Sequence, residues 1–419
     1  MKSFINSEFG KLEGVIVHTP GSEVENMTPG NAERALYSDI LNLSIASNEY
    51  AQLTGVLKKV AQVFEIKPML KDILDNPIAR TRLLQEICNH EGQPELYDSL
   101  MERSSKELAG LLIEGIGMER NNLTNFLSQE KFLIRPLHNL FFTRDAAMGM
   151  NGSMLIGRMA NRVRERESMI LEAIFNFHPS LEVTTINPIR PLQGVPADTK
   201  ATLEGGDFMV IRDDVYIIGS GMRTSTQGID FVLETLKRNE KGSYHVIVQE
   251  LPPKPESFIH LDMVFTCLDL DTCMIYDPVV YSMSRYKTIY IQIDNGKVKI
   301  NEQPNILQAL KRLGINLKPV SCGGRKDPWI QEREQWHSGA NFFAFEPGKL
   351  IGYERNTHTL DELNHNGFEV LNASDVINDK VSLSDYSKCV VTIAGSELAR
   401  GGGGARCMTL PVKRADISW

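Results

Sequence analysis

Residues 144–174, RDAAMGMNGSMLIGRMANRVRERESMILEAI, have two echoes: residues 205–236, GGDFMVIRDDVYIIGSGMRTSTQGIDFVLETL, and residues 339–363, GANFFAFEPGKLIGYERNTHTLDEL. Each reads as an apolar strand, a polar turn, a second apolar strand and then a helix-like segment. The turns NG, RDD and EPG carry residues that tolerate or preset the backbone angles of a tight hairpin. A fourth, partial copy begins at His260, HLDMVFTCLDLDTCMIYDPVV, and the opening KLEGVIVHTPGSE supplies a candidate fifth strand unit paired with the C-terminal CMTLPVKR. Repeated strand units arranged radially bring equivalent strand ends together around one axis, as blades do in a propeller.

Aligning the copies on their turns puts one polar residue at the same place in each. Asp145 lies six residues before Asn151, Asp207 six before Asp213 and Asn341 six before Pro347, while Asp262 takes that place in the fourth copy. A radial arrangement makes these residues converge. One stretch departs from the repeat: from residue 71 to 129, apolar residues at Leu83, Leu84 and Ile87, and at Leu108, Leu111 and Leu112, recur at helical spacing. Breaks at Asn76-Pro77, Gly92-Gln93-Pro94 and Gly115-Ile116-Gly117 read as inter-helix loops. The expected organisation is therefore a repeat domain of residues 1–70 and 130–419, with a helical bundle, 71–129, inserted into it.

With 419 residues, 42% hydrophobic and 23% charged, the chain has enough apolar surface for one large domain or two. No segment of roughly 18 apolar residues and no signal-peptide core occurs, so a cytoplasmic protein without membrane partners is expected. The six cysteines (Cys88, Cys267, Cys273, Cys322, Cys389 and Cys407) are scattered without a CxxC pair, which argues against a disulfide framework or a zinc ribbon. A formal charge of -8 and the lack of a basic, aromatic-laced stripe disfavour nucleic acid and suit a small cationic substrate.

The richest polar set joins distant segments: Asp145 after FFTR, Glu204 in LEGGD, His260 and Asp262 in HLD, and Cys407 behind four glycines in GGGGARC. The glycine run lets backbone approach a ligand closely, and it is no phosphate loop, because Lys-Ser/Thr and a following helix are both missing. His260 and Asp262 could form half of a metal site completed by Glu204 and Asp145, but the thiol would then have no role. A cysteine protease needs only one orienting group besides Cys and His, which leaves carboxylates over. A guanidinium accounts for the surplus. It is planar, always charged, and its N–H fork matches carboxylates, so two Asp side chains can hold its edges while a thiolate approaches its carbon. His260 would protonate departing ammonia and then activate water, with Glu204 stabilising its cationic form. Flanking carboxylates should raise the thiol pKa, so thiolate formation is expected to be assisted by the bound cation.

Together NLFFTRD, LEGGD, FIHLD, REQW and GGARCMTLP resemble the arginine deiminase family of the guanidino-group modifying, or pentein, superfamily. The resemblance runs from VIVHTPGSEVENMTP to Trp419. It implies an α/β fold, a five-bladed pseudo-symmetric α/β-propeller with an inserted helical bundle, and hydrolysis of L-arginine to L-citrulline and ammonia through a covalent thiouronium, with no cofactor and no metal. Cys407 would be the nucleophile, His260 the general acid/base, Glu204 its partner, and Asp145 and Asp262 the guanidinium clamps. Asn139, Arg164 and Arg223 would bind the α-carboxylate end, Gly401 would be a further substrate-binding residue, and a homo-oligomer is expected. Two departures concern that end. Family members commonly read LFDDxLW where this chain has LYSDILN at residues 36–42, and Gly402, five before the cysteine, replaces what is often a larger residue. An agmatine-like substrate, a citrulline hydrolase, an amidinotransferase and a catalytically silent arginine-binding protein therefore stay open.

Overall fold

The computed structural model describes residues 1–37, 39–190, 200–238, 242–281, 285–417 and 419. Ser38, within the departing LYSDILN segment, lies outside them. The hairpins read from the repeats are present. Ala147–Met150 pairs antiparallel with Ser153–Ile156, Phe208–Arg212 with Val215–Ser220, Phe265–Cys267 with Thr272–Ile275, and Phe343–Glu346 with Lys349–Tyr353. Asn151 adopts a φ of 53° in the first of these turns, the left-handed conformation that Asn tolerates.

In each unit the second hairpin strand then pairs parallel with a strand that follows a helix, the crossover that parallel pairing requires. Ser153–Ile156 reaches Thr184–Ile186 through helix Glu165–Phe177, and Val215–Ser220 reaches Ser243–Glu250 through helix Thr226–Lys237. Thr272–Ile275 pairs with Lys318–Ser321, and Lys349–Tyr353 with Cys389–Ile393. The chain ends complete a fifth unit. Leu410–Arg414 runs antiparallel to Leu12–Val17, which pairs parallel with Gln62–Glu65 after helix Leu43–Val60. Among the described residues the strands form five sheets of three or more strands and one two-stranded ladder. Strands Phe208–Arg212 and Val215–Ser220 are apolar and buried along almost their whole length, as expected where helices cover the sheet face.

The helical stretch begins earlier than its sequence periodicity suggests. Helix Ile66–Leu74 straddles residue 71, and Pro68 sits in its first turn, where no intrahelical N–H is lost. It is followed by Pro77–Glu91, capped by the Asn76 side chain and ended by Gly92 at φ 70°, then by Tyr97–Met101, Ser105–Glu114 and Leu123–Leu127. The apolar faces of the first four of these helices share one core with Ile16, Ala147, Ile156, Leu410 and Val412 of the strands, whereas Leu123, Phe126 and Leu127 of the last are exposed. Gly115-Ile116-Gly117, which reads as a loop, includes a short strand, Ile116–Gly117, paired with Phe132–Ile134. Among the described residues no helix is long and apolar enough to cross a membrane.

Candidate active site

The aligned polar residues meet where the five units touch, and hydrogen bonds join each unit to the next. Gly205 N donates to Asp145 O at 3.0 Å, Leu261 N to Asp207 Oδ1 at 2.8 Å, and Asn341 Nδ2 to Asp262 O at 3.1 Å. Arg406 N donates to Asn341 Oδ1 at 2.9 Å, and Arg144 N to Cys407 O at 3.0 Å, which closes the circuit. Cys407 is held in a turn just before Leu410–Arg414 and is 4% exposed. Two of the preceding glycines have distinct jobs. Gly402 sits at φ 83°, and a Cβ on Gly404 would lie 2.7 Å from both Cβ and Oδ1 of Asn341.

Around the thiol stand the predicted carboxylates and imidazole, all buried. Cys407 Sγ lies 3.6 Å from Asp262 Oδ2, while His260 Nε2 is 2.8 Å from Glu204 Oε2 and His260 Nδ1 is 3.7 Å from Asp145 Oδ1. Glu204 thereby takes one ring nitrogen and leaves Nδ1 facing the site. Asp145 Oδ1 and Asp262 Oδ1 are both buried without a hydrogen-bond partner, as is Arg223 Nη1, which lies 3.7 Å from Glu204 Oε1. Buried polar atoms are ordinarily satisfied, so unsatisfied acceptors on two clustered carboxylates mark a place for donors.

Electrostatics divide the roles. Burial opposes charge on His260, but the carboxylates of Asp145, Glu204 and Asp207 outweigh it and carry the imidazole up to about 9, so it is cationic at neutral pH. Burial would raise Glu204 as well, yet His260 and Arg223 pull it well below the usual carboxylate range. The Cys407 thiol moves the other way: burial, Asp262 and Asp145 push it far above its ordinary value. Burial also raises Asp262, against the attraction of Arg406. Asp207, hydrogen-bonded to the Leu261 N–H and the Thr224 side chain, is lifted by burial to about 7.

The residues expected to bind the rest of the substrate are placed less uniformly. Arg223 and Gly401 line a cavity of about 670 Å³ with Gly402, Met263, Phe258, Trp336, Tyr37 and Arg400. Asn139 lines a separate cavity of about 180 Å³ and donates to Ala35 O at 2.8 Å. Arg164 is engaged elsewhere: its Nη1 is 2.7 Å from Asp145 Oδ2 and its Nη2 2.8 Å from Glu167 Oε2. Pro29, Glu33, Leu36 and Asp39 line the larger cavity as well, with Asp39 ion-paired to Arg400 and Tyr37 Oη donating to His138 O at 2.9 Å.

Several residues of the site were not singled out as functional from sequence. Arg406, adjacent to the thiol, reaches Asp262 Oδ2 at 2.9 Å through Nη1 and Glu8 Oε2 at 2.9 Å through Nε. Glu167 pairs with Arg164, and Asn341 touches the sulfur itself, with Nδ2 3.1 Å from Sγ. Only Asn341 had a signal, its alignment with Asp145 and Asp207. Ligand atoms of Asp145, Glu204 and His260 lie within 4.8 Å of one another, a spacing that a cation could bridge. Two of those carboxylates already face Arg164 and Arg223, positive charges that compete with a metal ion.

Comparison with known proteins follows the same lines. Residues 33–414 match the family described as arginine deiminase. The arginine deiminase of Oenococcus oeni is 31% identical over 99% of this chain and 97% of its own length, and that of Bacillus cereus is 30% identical over 99% and 98%. Among solved structures, the N-terminal domain of ArgZ, a cyanobacterial arginine dihydrolase bound to product, superposes with a TM-score of 0.53 at 12% identity, over 96% of this chain and 98% of that one. DDAH from Pseudomonas aeruginosa, complexed with citrulline, gives 0.50 at 13% identity, over 96% and 99%. These structural likenesses speak for a shared mixed α/β pentein fold.

Proposed function

Because this chain belongs to the arginine deiminase family, we propose that it hydrolyses L-arginine to L-citrulline and ammonia with Cys407 as nucleophile. The observation that carries this reading is the pair of unsatisfied carboxylate oxygens, Asp145 Oδ1 and Asp262 Oδ1, buried around one thiol. A guanidinium supplies donors to both and brings the positive charge that the raised thiol lacks.

In the proposed cycle, substrate entry displaces Arg164 from its share of Asp145, and the guanidinium proton fork spans the two carboxylates. Sγ attacks the guanidinium carbon, giving a neutral tetrahedral adduct. His260, cationic, delivers its Nδ1 proton to one amino group, the C–N bond breaks and ammonia leaves a thiouronium. The neutral imidazole then takes a proton from water as the oxygen adds to the same carbon. Collapse breaks the C–S bond and regenerates the thiolate while the hydroxyl proton leaves to the released ammonia, so that the neutral ureido product and ammonium depart. Glu204 keeps the imidazole oriented throughout. Arg223 and Gly401, which line the larger cavity, hold the α-carboxylate end of the substrate, whereas Asn139 lies in the other cavity with its amide on Ala35 O.

The same reading extends to architecture. The ring of hydrogen bonds joining units at Asp145, Asp207, Asp262, Asn341 and Arg406–Cys407 supports a five-bladed propeller, with the helices around residues 71–129 as an insertion and segments 1–70 and 130–419 as its catalytic body.

The test is incubation with free L-arginine and agmatine in parallel, with products identified, for the native chain and for Cys407→Ala, with and without a chelator. Citrulline and ammonia from arginine, lost in Cys407→Ala and indifferent to chelation, are expected. Ornithine with carbon dioxide, transfer to an added amine, or activity that survives Cys407→Ala and dies on chelation would overturn the proposal.

A further inference from the structure

Asn341 closes the hydrogen-bond ring and also reaches the sulfur. It is 1% exposed, and its amide orientation is set by its neighbours. Oδ1 accepts from Arg406 N at 2.9 Å and from Cys407 N at 3.3 Å. Two backbone donors on one side require the oxygen there, so Nδ2 must face the other way, toward Asp262 O at 3.1 Å and Cys407 Sγ at 3.1 Å. A flipped amide would set oxygen against a carbonyl and nitrogen against two N–H groups.

The repeat shows why an amide stands here. At the equivalent position three other units carry Asp145, Asp207 and Asp262, and this unit, whose side chain comes within 3.1 Å of the sulfur that Asp262 also approaches at 3.6 Å, carries Asn. Asp and Asn are nearly isosteric, so the exchange leaves the backbone bonds to Oδ1 intact and replaces a negative oxygen beside sulfur with an N–H donor. Such a donor binds a thiolate more strongly than a thiol, because hydrogen bonds to charged acceptors are the stronger kind. Gly404 exists as glycine beside it for a matching reason, since a side chain there would push Asn341 off the loop.

We infer that Asn341 is a catalytic residue of this site: its side-chain N–H stabilises the Cys407 thiolate and aims the sulfur, while its carbonyl locks the nucleophile loop. The inference rests on Cys407 being the nucleophile. It adds a fixed, substrate-independent contribution to thiolate formation beside the transient one from a bound guanidinium. The bonds from Asn341 to Asp262 O, Arg406 N and Cys407 N tie clamp and nucleophile to one side chain, so the distance between them is held as a unit.

The test uses the full chain carrying Asn341→Asp, with Asn341→Ser as a second variant. Iodoacetamide alkylation is followed on the Cys407 peptide by mass spectrometry across pH, without substrate, and steady-state kinetics with arginine are measured in parallel. In Asn341→Asp the acceptor bonds to Arg406 N and Cys407 N remain, but an oxygen now faces Asp262 O, so the thermal transition is expected to fall and is recorded for both variants before the thiol is titrated. The apparent thiol pKa is expected to rise by about 2 units, as for a like charge in contact. Because the lost donor is one to a charged group, kcat is expected to fall roughly 10- to 100-fold with little change in KM. Asn341→Ser, which removes the amide without adding charge, is expected between the two. An alkylation profile and kcat equal to those of the native chain in Asn341→Asp would overturn the inference; if that variant does not fold, the same equality in Asn341→Ser does so. If the native chain does not turn over arginine, the functional reading fails, while the alkylation profile still decides the role of Asn341.

Discussion

Replacing Glu8 by Gln tests whether the nucleophile loop is held from behind by a buried charge cluster. Glu8 receives Arg406 bidentately, Nε at 2.9 Å and Nη2 at 3.2 Å, and Arg144 and Arg414 stand close enough to influence it as well. Both of those arginines lie against the Phe343 ring, at 6.0 and 5.1 Å. Burial would raise the Glu8 carboxyl, but the three guanidinium groups more than reverse that and hold it below its ordinary value. The cations are in turn under strain from burial and from one another, Arg144 being pushed down to about 9 and Arg414 to about 10. Glu8→Gln keeps the shape and removes the only carboxylate in direct contact with Arg406 besides Asp262 among the described residues.

Losing one member of a buried ion pair costs about 3–5 kcal/mol. Unfolding entropy is roughly 2.1 cal/mol/K per residue, which over 419 residues is about 0.9 kcal/mol/K. The expected loss in Tm is therefore about 3–6 °C, measured by calorimetry at neutral pH. The pH dependence carries the sign. A carboxyl with a depressed folded pKa contributes its stability in full above the unfolded value of about 4.3 and loses it as pH falls through the folded value. The Tm gap between the native chain and Glu8→Gln should accordingly be widest near neutrality and close in acid. Asp262 also loses part of what anchors its partner, so kcat should fall more than KM rises. A Glu8→Gln chain melting within 1 °C of the native one near neutrality, or a gap that widens in acid, would refute the reasoning.

His260 is held up to about 9 chiefly by Asp145, Glu204 and Asp207 acting against burial, so kcat for the ammonia-releasing step should decline above about pH 9. Glu204→Gln removes one of those carboxylates and should shift that alkaline limb downward, read from a kcat–pH profile; an unmoved limb would separate the proton donor from His260. Arg223, which lines the larger cavity with Nη1 unsatisfied, should discriminate by the α-carboxylate. Arg223→Leu is expected to lower kcat/KM for arginine about 10²-fold, as when a buried charge pair loses a partner, while sparing agmatine, which has no carboxylate. Equal losses on both substrates would assign Arg223 to Glu204 alone.

What was legible in the sequence follows from locality. The NG, RDD and EPG turns and the flanking apolar runs encode hairpins within about a dozen residues, and those hairpins form where they were read. Alignment on the turns also brought Asp145, Asp207, Asp262 and Asn341 to one place, because equal offsets from equivalent turns give equal positions on equivalent strands. The helical stretch was visible by its spacing, but its start at Ile66 was not, since Pro68 punctuates the sequence without ending the helix. Arg164 illustrates a different limit. Its charge type suits a carboxylate of substrate, and in the folded chain it lies on carboxylates of the protein, Asp145 and Glu167.

By itself, then, the sequence determined which residue types and which spacings recur, and through them the strand units and a thiol set among carboxylates and an imidazole. Only the tertiary structure decided which atoms of those residues are engaged and which are left over. Glu204 rather than Asp145 takes His260 Nε2, Arg406 rather than substrate holds one oxygen of Asp262, and Glu8, 398 residues away along the chain, anchors that arginine. The physical reason is that hydrogen bonds and ion pairs depend on distance and direction in space, while sequence separation constrains neither once the chain closes on itself. Two carboxylate oxygens without partners are a property of the packed site, and they appear only when every other donor around them has been placed.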